Sequence, residues 1–153
     1  MLKNRLAMLL VVVAGMSFGA RAVRADKKAT SALLVPAADL KWSAVPGMTG
    51  IQLAPVDGDP SKGPSHFFIK FDAGFTAPLH HHTANHSGTV VAGTLVLTVD
   101  GKEQKLPPGS FFTFTNKAKH TTACEKGAEC ILSMDVRGKW DVVPEADKTA
   151  AKK

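Results

Sequence analysis

The chain has no tyrosine, only two cysteines and a low aromatic content of 7 %. Without tyrosine, and without a basic stripe interleaved with aromatics, it lacks the stacking platform and cationic track of a nucleic-acid-binding protein. Serine-hydrolase, zinc-protease and nucleotide-binding signatures are also missing, which removes the commonest motif-readable enzyme classes. No sustained helical period runs through the chain, and only one stretch, at its start, is apolar over any length.

That stretch has the layout of a secretory signal peptide. A basic "MLKNR" leads into "LAMLLVVVAGMSF" and then into small-residue cleavage sites within "GARAVRA". Cleavage is expected after Ala25, with Ala22 as the alternative. A membrane anchor is the competing reading, but the run is short for a span and is interrupted by Gly15 and Ser17. The mature chain is therefore expected to be exported, periplasmic or secreted, and free of the membrane once the segment is removed. Residues 1–25 carry Lys3, Arg5, Arg21 and Arg24 but no acid, so their loss takes the formal charge from +6 to +2. The basic balance thus belongs largely to the leader and to the tail "ADKTAAKK", and nucleic acid is not an expected partner.

The 153 residues suffice for one domain with a real core and are too few for two ordinary ones. Residues 26–45 read as an N-terminal arm or edge strand, 46–143 as the folded unit, and 144–153 as a mobile tail. Within the unit the pattern is strands and turns. "SHFFIKFDAG" reads as a strand, and "VDGDPSKGPS" at 56–65 as a long turn rather than a phosphate loop, since no helix follows it. "TVVAGTLVLTVDGKEQKL" reads as two strands joined at Asp100-Gly101, a dipeptide suited to tight hairpins. "PPGSFFTFTN" is a turn and a strand, and "HTTACEKGAECILSMDV" reads as a second hairpin with "EKGAE" at its tip. Many short strands at regular spacing predict an all-β sandwich or barrel.

The chemistry concentrates in "PLHHHTANHSGTVVAGTL" at 78–95. In a strand, residues two apart share a face, so His80 and His82 point one way and His81 the other, toward solvent or a neighbouring subunit. His86 keeps the parity of His80 and His82 unless a bend intervenes. Two imidazoles on one face cannot complete a metal site, and His120 is the natural further ligand. His66 has no evident partner and reads as an ordinary strand histidine.

These residues resemble the cupin superfamily. Its first motif is a glycine, five residues, His-x-His, three or four residues, a glutamate, six residues and a glycine. Here it reads Gly74, "FTAPL", His80, His81, His82, "TAN", His86, "SGTVVA", Gly93, with every spacing kept and His86 in the glutamate position. The second motif is weaker. Gly109, "SFFTF" and His120 fall at its intervals, but Thr115, Lys117 and Cys124 stand where proline, glycine and asparagine are usual. The resemblance spans about residues 40 to 140. It implies a single cupin-type β-barrel, a double-stranded β-helix with jelly-roll-like strand order. It also implies kinship with small cupins that use four histidine ligands, here His80, His82, His86 and His120, for manganese or another divalent metal. Manganese or iron is the expectation from this resemblance, while imidazole ligands equally suit zinc, copper or nickel. Cupins commonly pair through edge strands, so a homodimer is expected, with "SALLVPAADL" as an arm able to cross to the second subunit.

If Cys124 and Cys130 face each other across "EKGAE", register sets Thr122 opposite Leu132 and His120 opposite Met134. Leu132, Met134 and one or more of Phe111, Phe112 and Phe114, with Phe112 foremost, are then expected to wall a pocket around the metal. In an exported protein the two cysteines are expected to form a disulfide. With His86 replacing a carboxylate, four neutral imidazoles leave the full charge of a divalent ion on the site, which makes it a stronger Lewis acid and favours the reduced metal. The ligands must be neutral to bind, so metal is expected to leave as pH falls below about 6. Two functions follow. One is a metal-dependent enzyme of oxygenase or lyase/isomerase type on a small organic substrate; the other is a non-catalytic cupin that binds a small ligand or metal.

Overall fold

Burial alternates residue by residue along the central strands, and that period of two decides which side chains meet. In the computed structural model, which describes residues 31–146, a short 3-10 turn at Ala37–Asp39 precedes eleven strands. They are β1 (Ser43–Ala44), β2 (Ile51–Gly58), β3 (Ser65–Phe71), β4 (Thr76–His81), β5 (His86–Ala92), β6 (Leu95–Val99), β7 (Lys102–Leu106), β8 (Phe111–Phe114), β9 (His120–Cys124), β10 (Cys130–Val136) and β11 (Val143–Pro144). One sheet runs β1-β2-β3-β10-β5-β8 and the other β11-β4-β9-β6-β7, with every pairing antiparallel. Two such layers facing each other form a cupin-type jelly-roll barrel.

The inward residues of β3 and β10 meet in register, Met134 opposite Phe67 and Leu132 opposite Ile69, and Val90 of β5 sits beside Leu132. From the other sheet Leu95 and Leu97 complete the core. Each fully buried side chain of this size contributes about 1.5–3 kcal/mol relative to exposure.

Between the sheets the chain crosses at points that need special residues. "TVVAGTLVLTV" is two strands rather than one: it breaks at Gly93, and β5 and β6 lie in different sheets. Gly93 has φ +72°, and a Cβ there would stand 2.4 Å from the Glu129 carbonyl oxygen and 2.9 Å from Cys130 Cα, so backbone alone excludes any side chain. β6 and β7 form the expected hairpin at Asp100-Gly101, both with positive φ.

The second expected hairpin is corrected by the structure. β9 and β10 do not pair; β9 lies between β4 and β6, while β10 lies between β3 and β5. "EKGAE" is a crossing between layers, and the register that set His120 opposite Met134 does not exist. The parity argument survives the error, because His120 and Thr122 on β9 and Leu132 and Met134 on β10 all still face inward.

At the C-terminal side, Val143 and Pro144 pair with His81 and His80. The leader at 1–25, most of the arm's first residues and the end of the tail at 147–153 lie outside the described residues.

Candidate metal centre

A bulge in β4 aims the first ligands. Between Ala77–Thr122 and His80–His120 the β4 strand spends one residue more than β9, and Pro78, which has no N–H to give the ladder, sits in that irregular step. His80 then lies directly across from His120. His82 follows just beyond the end of β4, and three residues later the chain has crossed to the facing sheet, where His86 opens β5. Three histidines thus come from one sheet and the fourth from the other.

All four are buried, at 2–6 % exposure. One ring nitrogen from each of His80, His82 and His120 lies within 4.8 Å of the other two. His86 stands across from this trio, its ring centroid 4.7 Å from His82 and 6.4 Å from His120. His81 points away from the cluster, as parity requires, but is not free in solvent: its Nδ1 is 2.7 Å from a Glu145 carboxylate oxygen, whose partner oxygen accepts from Lys119 at 2.7 Å. His66 lies on the outer face of β3, 3.1 Å from the Ser133 hydroxyl.

Each clustered ring is oriented in the same way. His80 Nδ1–H donates to the Pro78 carbonyl at 2.7 Å, His86 to Ala84 at 3.1 Å and His120 to Ala118 at 3.0 Å, while His82 donates to the Asp141 carbonyl. A carbonyl can only accept, so each bond fixes the proton on Nδ1 and leaves the Nε2 lone pair for another partner. Burial reinforces this neutral form. Loss of water, with some repulsion among the imidazoles, lowers His82 to about 3 and His120 to about 4, and pulls His80 and His86 below the ordinary histidine range. The neutral imidazoles of His80, His82 and His120, with Nε2 free and their ring nitrogens close together, are a donor set that fits a divalent transition metal, while His86 lies beside this cluster and is not part of it.

Beside the histidines lies a cavity of about 290 Å³. Leu132, Met134, Phe112 and Phe114 line it, and Phe114 stacks on the His120 ring at 3.9 Å and 8°. Phe111 does not: it faces outward and is 64 % exposed. Phe71 and Phe75, stacked at 4.9 Å, form another part of the wall, and Val45 and Met48 contribute from the loop after β1. Gly88 faces inward under Phe112 and Met134, where a Cβ would come within 2.4 Å of the Phe112 ring. Among the described residues, the polar side chains lining the cavity apart from the four imidazoles are Thr49, Thr122 and the Trp140 indole, with no acid, lysine, arginine or serine.

Trp140, Asp141, Val142 and Pro144 were not legible as site residues. Trp140 stacks on His82 at 4.0 Å and meets the edge of His86 at 5.1 Å. The available signal was a lone indole in "RGKWDVVP", two residues beyond a glycine and amid polar neighbours.

Cys124 and Cys130 are joined in a disulfide. No helix among the described residues is long and apolar enough to cross a membrane.

Residues 67–136 match the family described as the Cupin domain. No curated protein matches the chain. Among solved structures, the polyketide cyclase RemF from Streptomyces resistomycificus aligns with a TM-score of 0.64 at 17 % identity, over 75 % of this chain and 87 % of that one. KdgF from Halomonas sp. aligns at 0.56 and 22 % identity, over 67 % and 93 %. The DMSP lyase DddQ from Ruegeria pomeroyi DSS-3 aligns at 0.58 and 19 % identity, over 72 % and 64 %. At these identities the likeness is one of fold. That fold agrees with the Cupin domain matched over residues 67–136.

Proposed function

We propose that this cupin-fold chain is an exported protein that binds a divalent metal through His80, His82, His86 and His120 and uses it on a small, largely apolar organic molecule. The observation that carries the reading is the common orientation of the four rings, each with Nδ1–H committed to a main-chain carbonyl and Nε2 left free. Bound there, a divalent ion would supply Lewis-acid polarisation of a ligand oxygen or one-electron chemistry. Manganese or iron remains the family expectation, with zinc, copper and nickel as competitors for the same donors.

The protein's own contribution is shape and polarity. Phe71, Phe75, Phe112 and Phe114 offer ring faces to a flat or hydrocarbon body, and with no cation or acid in the wall among the described residues the metal is the anchor for an oxygen-bearing end. His86 in place of a carboxylate keeps the site one unit more positive, which strengthens that anchor. Because, among the described residues, no lining side chain other than the ligands is an obvious proton carrier, a reaction of oxygenase type is favoured over a lyase or isomerase, which needs a placed acid or base. Two of the fold neighbours are described as enzymes of small organic molecules, a polyketide cyclase and a DMSP lyase, in keeping with a small-molecule cavity. The same lack of acid and base favours, as the second reading, a cupin that binds a ligand without turning it over.

The disulfide and the leader-like start support export. Oxygen uptake by the metal-loaded mature chain, measured with a panel of enolisable and alkene substrates, separates the readings. Substrate-dependent uptake that disappears in His120→Ala supports the oxygenase. Saturable ligand binding without uptake or product supports the non-catalytic cupin.

A further inference from the structure

Three of the four clustered histidines are oriented from within their own segment. His80, His86 and His120 each donate to the carbonyl two residues earlier. His82 departs from this pattern, since its acceptor is the carbonyl of Asp141, 59 residues along the chain. His82 lies just past the end of β4, where no ladder fixes its ring, so its direction depends on what packs against it.

Beside the His80, His86 and His120 rings, the segment that begins at Trp140 packs against it. Trp140 lies flat on the His82 ring at 4.0 Å and 19°, and stands edge-on to His86 at 5.1 Å. The segment is held at both ends. Trp140 N–H donates to the Pro60 carbonyl at 2.8 Å, and Asp141 Oδ1 accepts from the Thr83 N–H at 2.8 Å. Further on, β11 pairs with β4 and Glu145 holds His81 and Lys119.

We infer that residues 140–145 form a strap that positions His82 for the metal, with Trp140 and Asp141 as positioning residues. The inference rests on the four-histidine reading. Its consequence is a linkage: if the docked strap is needed for His82 to bind, bound metal must in turn hold the strap down by the same factor.

Trp42→Phe leaves Trp140 as the sole tryptophan, because the chain has two. Manganese(II) and zinc(II) are titrated separately into the full-length mature chain in this background, with Trp140 emission and calorimetry as readouts and the metal-free thermal midpoint recorded for each variant. A saturable change in Trp140 emission at the calorimetric midpoint is expected. Trp140→Ala and Asp141→Ala should each weaken metal binding about tenfold or more, as loss of an outer partner does. Trp140→Phe, which keeps a ring, and Asp141→Asn, which keeps an oxygen for Thr83 N–H, should restore most of it. A purely structural role would lower the metal-free midpoint and leave affinity unchanged. Where an alanine variant fails to fold, trypsin cleavage after Lys139 in the Trp42→Phe chain decides instead: metal should slow it. Wild-type affinity in both folded alanine variants, or cleavage indifferent to metal, overturns the strap while leaving the metal site standing. No binding of either ion by the parent chain overturns both.

Discussion

Cys124 ends β9 in one sheet and Cys130 begins β10 in the other, and the disulfide between them ties the two layers of the barrel together. The closed loop is short, so the chain-entropy model puts its contribution at about 2 kcal/mol. The pair Cys124→Ala with Cys130→Ala should lose about that much stability in urea unfolding. Because Cys124 is four residues from His120 on the same strand, metal affinity should stay near that of the parent; a large affinity loss at unchanged stability would contradict a structural role.

The turn before His120 carries avoidable strain. Asn116 and Lys117 both have positive φ, 55° and 57°, and Ala118 N–H donates back to the Thr115 carbonyl at 3.1 Å. This is the arrangement that favours Asn-Gly, and Lys117 stands where glycine is usual in the second cupin motif. A left-handed non-glycine residue costs about 1–2 kcal/mol, against an entropy cost of about 0.4–1 kcal/mol for glycine. Lys117→Gly should therefore raise stability by about 0.5 kcal/mol, seen as a later denaturant midpoint. An earlier midpoint would show that the lysine side chain matters there.

On the proposed four-histidine reading, His86 sets the charge of the site. His86→Glu should keep a metal and add one negative charge, which makes the oxidised state of manganese or iron easier to reach and lowers the reduction potential. Voltammetry or a redox titration followed by electron paramagnetic resonance reads this directly. An unchanged potential with unchanged affinity would place residue 86 outside the coordination shell.

Acid acts on the buried rings in a defined direction. Unfolded imidazoles take protons near 6.5, whereas in the fold His82 does so at about 3 and His120 at about 4. Between these values the unfolded chain binds more protons, so the stability these rings contribute is complete above about 6.5 and is lost as pH falls toward 3. Thermal midpoints of the metal-free protein should decline across that window. Protons compete for folded His82 and His120 only at these lower values, so metal should survive dialysis at about pH 5 and leave near about pH 4, lower than the release below about pH 6 expected from the sequence. Release complete by about pH 6 would contradict a desolvated site.

Much of this was legible in residue order. Strand parity separated His81 from His80 and His82, and motif spacing brought His86 and His120 to them from a distance. Thr122, Leu132 and Met134 were placed inward by facing Cys124 to Cys130 across a hairpin that does not form, and the placement holds because the two cysteines are joined and residues two apart share a face. Pairing was not legible where the chain changes sheets: "ACEKGAEC" has the turn composition of a hairpin, and nothing local tells a β-turn within a sheet from a crossing between two. Gly93 hid a similar crossing inside an apolar run that read as one strand. The strap was missed because Trp140 and Asp141 act through a stacking face and a main-chain carbonyl, and a carbonyl carries no sequence signature.

The central claim is that His80, His82, His86 and His120 hold a divalent ion through Nε2. Its most direct test is elemental analysis of the folded mature chain after equilibration with manganese, iron, zinc, copper and nickel in turn, beside His120→Ala. The account predicts one equivalent of metal per chain for at least one ion and a large loss of loading in the variant. A parent chain that retains no ion, or a variant that loads as well as the parent, would contradict it.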